Sequence, residues 1–187
     1  MGALLAAAGC VPKGAPLPDE LQRSIWIDPL AAEAPVEVYL VLPFDSESAA
    51  ADLAPSAEIA VVKRLREHGY RVLARDEVMA SLKGKQLASL KFSDEEGRAL
   101  ARELGADAVI RGLISDLQVN LVATDAAEGG ELWRASEPFK LPIGDHSTVL
   151  SREAVVSTVK RLVRAVTDRL PQGVAQPENV PQGPTGP

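Results

Sequence analysis

Hydrolytic chemistry is the first possibility that the polar side chains raise. Asp145, His146 and Ser147 are the residue types of a Ser-His-Asp triad, in which a histidine activates a serine nucleophile. The three residues are sequence neighbours, however, and triad geometry needs side chains that converge from separate elements. A small hydrolase that uses His146 with Ser147 or Asp145 is therefore kept only as an alternative to a non-enzymatic protein.

The sequence lacks the residues that a metal site or a phosphate-binding site would need. One cysteine and two distant histidines, His68 and His146, cannot fill a tetrahedral zinc shell. His68 is expected in the last turn of a helix, where an imidazole complements the helix dipole. Residues 94–96 are acidic and follow Ser93 in the pattern of a capping box, which explains them without a cation. We predict no metal, no cofactor and no catalytic residue.

Acylation of a thiol is the chemistry that the sequence supports. Cys10 is the one cysteine of the chain and ends the short apolar run L-L-A-A-A-G-C, which resembles the lipobox of bacterial lipoproteins. In this interpretation the thiol is lipidated, residues 1–9 are removed and Cys10 becomes the anchored amino terminus. Residues 1–10 are shorter than a full signal peptide and lack a basic start, so we interpret them as truncated. The alternative is an inert cysteine after a disordered leader.

Composition limits the classes of protein that the chain can represent. Its 187 residues fit one domain, and 46% hydrophobic with 25% charged residues suffice for a core. The net charge of −6 argues against a nucleic-acid partner, because phosphate binding needs a basic face. No apolar run after Cys10 reaches the roughly 18 residues of a membrane-spanning helix. We therefore expect any membrane attachment to come from Cys10.

Proline content divides the chain into a tether, a domain and a tail. Residues 11–35 are predicted to be a Pro-rich tether, in which the apolar cluster Ser24–Ile27 docks on the folded body. Residues 36–170 are predicted to fold as one α/β domain. Residues 171–187 are rich in Pro, Gly and Gln, and we predict a disordered tail.

Hydrophobic spacing within residues 36–170 predicts the element order β-α-β-α-α-β-β-β-α. Residues 36–42 and 70–73 are short, apolar and β-branched, which indicates buried strands. Between them, a helix is predicted from Ser56 to His68. Its predicted buried stripe is Ile59, Val62 and Leu65. This order predicts an α/β sandwich with a mixed sheet of about five strands and about four helices.

The carboxyl-terminal part supplies the residues that we expect to meet a partner. Residues 113–121 alternate strictly between apolar and polar and are predicted to form one half-exposed strand. Residues 129–130 are a glycine turn that leads into a returning strand with Trp133. A last helix over 151–170 places cations between its apolar positions, among them Arg152, Lys160, Arg161 and Arg164. Such cations most often form a solvated face, but they can meet anionic lipid headgroups or an acidic partner.

Three stretches together resemble the TolB amino-terminal-domain-like lipoproteins of the bacterial envelope. Residues 38–44 (V-Y-L-V-L-P-F) resemble their opening strand, residues 101–112 (A-R-E-L-G-A-D-A-V-I-R-G) their helix-to-strand passage, and residues 130–133 (G-E-L-W) their hairpin. The group includes the curli secretion channel subunit, the activator lipoprotein of a penicillin-binding protein and a meningococcal lipoprotein antigen family. The resemblance implies a non-enzymatic protein that is anchored in the outer membrane and faces the periplasm.

Two functions based on binding follow from the resemblance. The first is an accessory or regulatory subunit of an envelope assembly for secretion, transport or peptidoglycan synthesis, which docks through its sheet edge or its basic last helix. The connections at residues 84–91 and 124–130 are too short to add the membrane-spanning strands that a secretion pore needs, which favours this accessory role. The alternative is a structural subunit that self-associates as a ring or dimer through the exposed side of residues 113–123 and Trp133.

Overall fold

The computed structural model describes residues 24–33, 36–82, 91–115, 118–139 and 150–173. In chain order, its strands and helices are β1 Ser24–Ile27, α1 Pro29–Glu33, β2 Val38–Val41, β3 Asp45–Ser46, α2 Ala54–Glu67, β4 Arg71–Leu73, α3 Arg75–Ser81, α4 Asp94–Leu104, β5 Ala108–Ile114, β6 Gln118–Asp125, β7 Glu131–Pro138 and α5 Arg152–Thr167. A 3-10 helix, Ser48–Leu53, leads into α2. Leaving aside the short additions β1, α1, β3 and the 3-10 helix, the predicted order is confirmed.

The sheet is half parallel and half antiparallel. Its strand order is β1-β7-β6-β5-β2-β4, and β3 pairs with β5 beside β2. β2 runs parallel to β4 and β5, because helices connect these strands. β5, β6, β7 and β1 are antiparallel neighbours. The predicted mixed α/β architecture is therefore confirmed, with seven strands and five helices in the described residues.

Helices cover both faces of the sheet around β2. Alternation along this strand sends Tyr39 and Val41 into one core and Leu40 into the other. The first core lies against α2 and α5, whose apolar stripe is buried. The α5 residues in it are Val155, Val159, Leu162 and Val166, as predicted. The second core lies against α3 and α4 and includes Val78 and Leu100.

The amino and carboxyl ends of α4 confirm the predicted caps. Ser93 Oγ accepts a hydrogen bond from Glu96 N at 3.2 Å, and the Glu96 carboxylate accepts one from Ser93 N at 2.8 Å. Gly105 ends the helix with φ of +70°, a conformation that glycine adopts without a steric penalty. Both ends could be predicted because the signals lie within a few residues of each other.

The prediction for α2 is wrong at its start and at one residue of its buried stripe, Ile59, whereas Leu65 is buried and Val62 packs against the core as predicted. The helix begins at Ala54 rather than Ser56, and Pro55 occupies the first turn, where its missing N–H costs no hydrogen bond. The small side chains of Ala57 and Ala60 are buried, whereas Ile59 is 68% exposed. The small alanine side chains allow α2 to pack closely against α5. Because the alanines occupy the buried face of the helix, Ile59 lies on the face that points to solvent.

Residues 113–121 form the end of one strand and the start of the next, so the prediction of a single strand is wrong. β5 ends at Ile114, and β6 begins at Gln118. Ser115 N donates to Gln118 O at 3.0 Å, and Gln118 N donates to Ser115 Oγ at 3.1 Å, so these bonds join the end of β5 to the start of β6. The apolar alternation continues across this turn without glycine or proline, so the sequence pattern shows no break.

Part of the predicted tether belongs to the fold. β1 pairs antiparallel with β7 at the edge of the sheet, which confirms that Ser24–Ile27 docks on the body. Asp28 N donates to Leu132 O at 2.9 Å, and α1 follows directly. The folded part therefore includes Ser24–Ile27 and α1, upstream of residue 36. Cys10, most of the predicted tail, and the candidates Asp145, His146 and Ser147 lie outside the described residues.

Candidate functional site

The cations predicted on the last helix line a cleft between two helices. Lys160, Arg161 and Arg164 of α5 face α2 across a depression of about 260 Å³. The lining residues on α2 are Ala60, Lys63, Arg64 and Glu67. We call this depression the basic cleft. Arg152 lies at the first position of α5 and is exposed outside it.

Arg161 is the cation of the basic cleft that the fold holds most tightly. Its Nε donates to Glu137 Oε1 on β7 at 3.0 Å. Nη1 donates to Ser157 Oγ at 2.9 Å, and Nη2 donates to Thr158 Oγ1 at 3.0 Å. Because the carboxylate of Glu137 is buried, Arg161 supplies the charge that offsets it. Arg161 therefore stabilises the fold, and its charge is largely neutralised within the molecule.

The remaining charges of the basic cleft surround Glu67. Arg64 Nη1 donates to Glu67 Oε2 at 2.9 Å, and this hydrogen bond lowers the pKa of Glu67, with smaller contributions from the charges of Arg64, Lys63 and Lys160. Arg164 Nε lies 3.7 Å from Asp168 Oδ2. Within the described part of the chain, Lys63 and Lys160 form no ion pair. These two lysines are therefore the cations of the basic cleft that could pair with an acidic group of a partner.

A second, more apolar depression lies on the other flank of α2. This depression, which we call the α2 groove, has a volume of about 700 Å³ and opens between α2, the end of β2 and the start of α3. Its apolar lining is Val41, Pro55, Ile59, Val62 and Ala74. Its charged lining is Glu58, Lys63, Arg66, Glu67, Arg75 and Asp76. Lys63 and Glu67 belong to both depressions, so the α2 groove and the basic cleft adjoin along the helix.

An ion pair between the half-exposed Arg75 and the buried Glu58 fixes the wall of the α2 groove. Arg75 donates from Nε to Glu58 Oε2 at 3.0 Å and from Nη2 to Glu58 Oε1 at 2.9 Å. Phe44 N donates to Glu58 Oε1 at 2.9 Å. The hydrogen bonds from Arg75 to Glu58, followed by the negative charges of Glu58 and Asp76, raise the pKa of Arg75. The pair ties α2 to α3 and to the chain after β2, so the groove has a rigid frame.

The prediction that Trp133 contributes to an exposed surface is wrong. Its side chain is 1% exposed and lies in the core against α2 and α5. The tryptophan at the surface is Trp26, which is 47% exposed on the edge strand β1 and lies opposite Arg134. The period of a strand identifies its two faces, but it does not tell which of them a helix covers.

His68 has a structural position. It follows the last residue of α2, and its Nε2 lies 3.7 Å from Asp168 Oδ1 at the end of α5. The position at the end of a helix is the one that the sequence predicted. Across the described ranges, we find no group of three His, Cys, Asp or Glu side chains that could hold a metal ion. Nor does any helix in those ranges have the length and apolar content to cross a membrane.

The α5 wall of the basic cleft was predicted from the sequence, and the α2 wall was not. Lys160 and Arg164 are four positions apart on α5, which places them on one helix face. Lys63 and Glu67 of α2 have the same spacing, and this was the available signal for the second wall. The contact between α2 and α5 joins segments about a hundred residues apart, and no local pattern predicts it.

Comparison with known proteins finds similarity at the level of structure. No protein-family model and no curated protein matches the chain. A PelC dodecamer from Paraburkholderia phytofirmans has a TM-score of 0.51 and 18% identity, over 81% of this chain and 98% of that chain. The LpoB C-terminal domain from Escherichia coli has a TM-score of 0.52 and 15% identity, over 61% of this chain and 87% of that chain. The lipoprotein GNA1162 from Neisseria meningitidis has a TM-score of 0.48 and 22% identity, over 66% of this chain and 94% of that chain.

Two of these TM-scores, for PelC and for LpoB, exceed 0.5, and LpoB is among the relatives that the sequence resemblance led us to expect. The chain therefore shares its fold with the PelC and LpoB structures, and the fold expected from the resemblance is confirmed.

Proposed function

We propose that this chain is a non-enzymatic protein of the bacterial envelope, anchored in the outer membrane through lipidated Cys10 and facing the periplasm. It acts through protein–protein contacts as an accessory or regulatory subunit of an envelope assembly. The observation that carries this binding role is the surface around α2, where an apolar groove with an exposed Ile59 adjoins Lys63 and Lys160, two lysines that form no ion pair within the described residues.

Two further features support a role in binding. The α2 groove exposes apolar side chains, and exposed apolar patches rimmed by polar residues are typical of interaction sites. The ion pairs Arg75–Glu58 and Arg161–Glu137 fix the groove and the cleft to the body of the domain, so the surface is preorganised. Secretion, transport and peptidoglycan synthesis are the processes that the sequence resemblance implies for such a subunit.

Metabolic labelling tests the anchor. The protein is produced from its native genomic locus, so that its complete leader is present, and is exposed to a fatty-acid probe beside its Cys10→Ser variant. We expect label on the wild-type chain, none on the variant, and loss of the variant from the membrane fraction. Absence of label from the wild type, or equal label on both chains, would refute the anchor.

Self-association is the second candidate function, and a specific observation favours it. The solved PelC structure is a dodecamer whose chain is covered almost completely by this fold. Trp26 supplies an exposed aromatic side chain on β1, the outermost strand of the sheet. Multi-angle light scattering of the full chain carrying Cys10→Ser tests this candidate. An oligomer that dissociates on Trp26→Ser, but not on Leu30→Ser, would support it, and a monomer at high concentration would refute it.

A further inference from the structure

We propose that the α2 groove and the basic cleft together bind one segment of a partner protein, and that this segment is acidic and amphipathic. This inference rests on the proposed function, in which the chain acts on another protein, and it specifies the chemistry of that protein. The segment would place its apolar side chains in the α2 groove and its carboxylates on the lysines beside it.

The apolar half of the surface is centred on Ile59. Ile59 is 68% exposed and lies in a depression with other apolar side chains rather than alone on the surface. Pro55 and Val62 flank it on the same helix, and Val41 and Ala74 line the groove opposite. A partner that fills the groove would remove the exposed parts of Pro55, Ile59 and Val62 from water together.

The charged half of the surface selects for acidic residues. Within the described residues, the carboxylate of Glu58 is paired with Arg75 and that of Glu67 with Arg64. The third acidic residue, Asp76, forms no ion pair there, lies in the first turn of α3 and lines the α2 groove but not the basic cleft. Lys63 and Lys160 have no such partner there, and Lys63 lines both depressions. An acidic residue that leaves the α2 groove toward α5 would therefore meet Lys63 first and Lys160 next. Complementary charge of this kind favours a particular partner and orients it.

The edge of the sheet beside the groove argues for docking through side chains rather than by strand addition. β4 is the last strand in the order and has three residues. Arg71 N donates to Glu37 O toward β2, so the carbonyl of the next residue, Val72, points to the open edge. Arg66 Nη2 donates to that carbonyl at 2.8 Å and occupies it. A partner strand would have to displace this hydrogen bond.

The shape of the surface favours a protein segment over a lipid membrane. Anionic headgroups could neutralise Lys63 and Lys160, but a flat bilayer would leave a groove of about 700 Å³ unfilled. A segment with apolar side chains on one side and carboxylates on the other satisfies both halves of the surface. Binding to a membrane is therefore one outcome of the test.

Selection from a library of random twelve-residue peptides displayed on phage tests the inference. The bait is the full chain with Cys10→Ser. We expect the enriched peptides to combine apolar residues with net negative charge, against the overall charge of −6 of the bait. No enrichment, or enrichment of basic or uncharged peptides, would overturn the inference.

Matched variants then locate the binding of the enriched peptide, measured by fluorescence anisotropy. Ile59→Ser and Lys63→Glu should each weaken binding by about tenfold or more. The controls are Leu30→Ser, another exposed aliphatic residue at 72%, and Lys91→Glu, another exposed lysine. These controls should bind like the parent chain. Equal weakening by variants and controls would overturn the inference.

Vesicles of phosphatidylglycerol provide the second arm. If the parent chain binds these vesicles in a Lys63-dependent manner and binds no acidic peptide, the surface is a membrane contact and the inference is wrong. The proposed function has its own readouts, which are the fatty-acid label and crosslinking to any envelope protein. Failure of the peptide arm with a positive label and crosslink would reject the α2 groove as the docking site and leave the proposed function in place.

Discussion

The carboxylate of Glu58 and the guanidinium of Arg75 meet through two hydrogen bonds of 2.9 and 3.0 Å beneath the α2 groove. Glu58 lies on α2 and Arg75 begins α3, so the pair joins two helices on opposite faces of the sheet. Phe44 N donates to the same carboxylate. The frame of the groove thus depends on one buried charge and its partners.

We predict that Arg75→Ala destabilises the domain by about 2 kcal/mol, because a buried carboxylate then loses a charged hydrogen-bond donor. Urea unfolding followed by circular dichroism measures the change. Arg134→Ala is the control, since Arg134 pairs with Glu131 at the surface and such pairs contribute less than about 1 kcal/mol. An Arg75→Ala chain as stable as the control would contradict the structural role of the pair.

Of two neighbouring cations on α5, Arg161 should stabilise the fold and Lys160 should not. Arg161→Ala should lower the free energy of unfolding by about 2 kcal/mol, because it removes a partner of the buried Glu137 carboxylate. Lys160→Ala should change it by less than about 0.5 kcal/mol, since this exposed side chain forms no ion pair with the described residues. Thermal and urea unfolding of both variants compare the two. Equal effects on stability would disprove this division.

Gly112 should not tolerate a side chain. A Cβ atom at this position would lie 2.5 Å from the ring of the buried Phe44, much closer than contact distance. We expect Gly112→Ala to destabilise the domain by about 1–3 kcal/mol through overpacking. Gly130→Ala is the matched control, because a Cβ there meets nothing within 4 Å. Combining Gly112→Ala with Phe44→Leu should recover part of the loss, and a neutral Gly112→Ala would contradict the close approach.

The capping box of α4 should make stability depend on pH in acid. The backbone hydrogen bond from Ser93, followed by that of its hydroxyl, lowers the pKa of Glu96 below 4.5. A depressed carboxyl pKa stabilises the folded state above the unfolded value, and this contribution disappears as the pH falls through the folded value. The stability difference between the wild type and Glu96→Gln should therefore be present at pH 7 and shrink below pH 4.5.

Urea midpoints at pH 7 and in acid measure this difference for Glu96→Gln. Repeating them in a Ser93→Ala background should give a smaller dependence on pH, because the hydrogen bond from the hydroxyl is absent there. A difference that does not change with pH would mean that the capping box makes no ionic contribution.

Local signals explain how much of the fold was predictable. The alternation of β2, the stripe of α5 and the capping box at Ser93 each depend on a few neighbouring residues, and the structure confirms them. Ile59 was assigned to the wrong face because the rotation of α2 depends on how closely its alanines approach α5. The turn at Ser115 was missed because the apolar alternation runs through it.

The candidate site was predictable only in part for the same reason. The cations of α5 are visible in the sequence, but their partners are not. Glu137 looks like a solvated residue at the end of a strand, and only the tertiary structure shows it buried against Arg161. Ile59 and Lys63 line the candidate surface because α2 packs beside β4 and α5. The sequence pattern does not predict this packing.

Photocrosslinking from position 59 in the native envelope is the most direct test of the central claim, that the α2 surface docks on an envelope protein. The full, Cys10-containing chain carries benzoylphenylalanine in place of Ile59 or, as control, of Leu30. We predict a discrete adduct with an envelope protein from position 59, little from position 30, and loss of the adduct on Lys63→Glu. Equal adducts from both positions, or no adduct from position 59, would contradict the account.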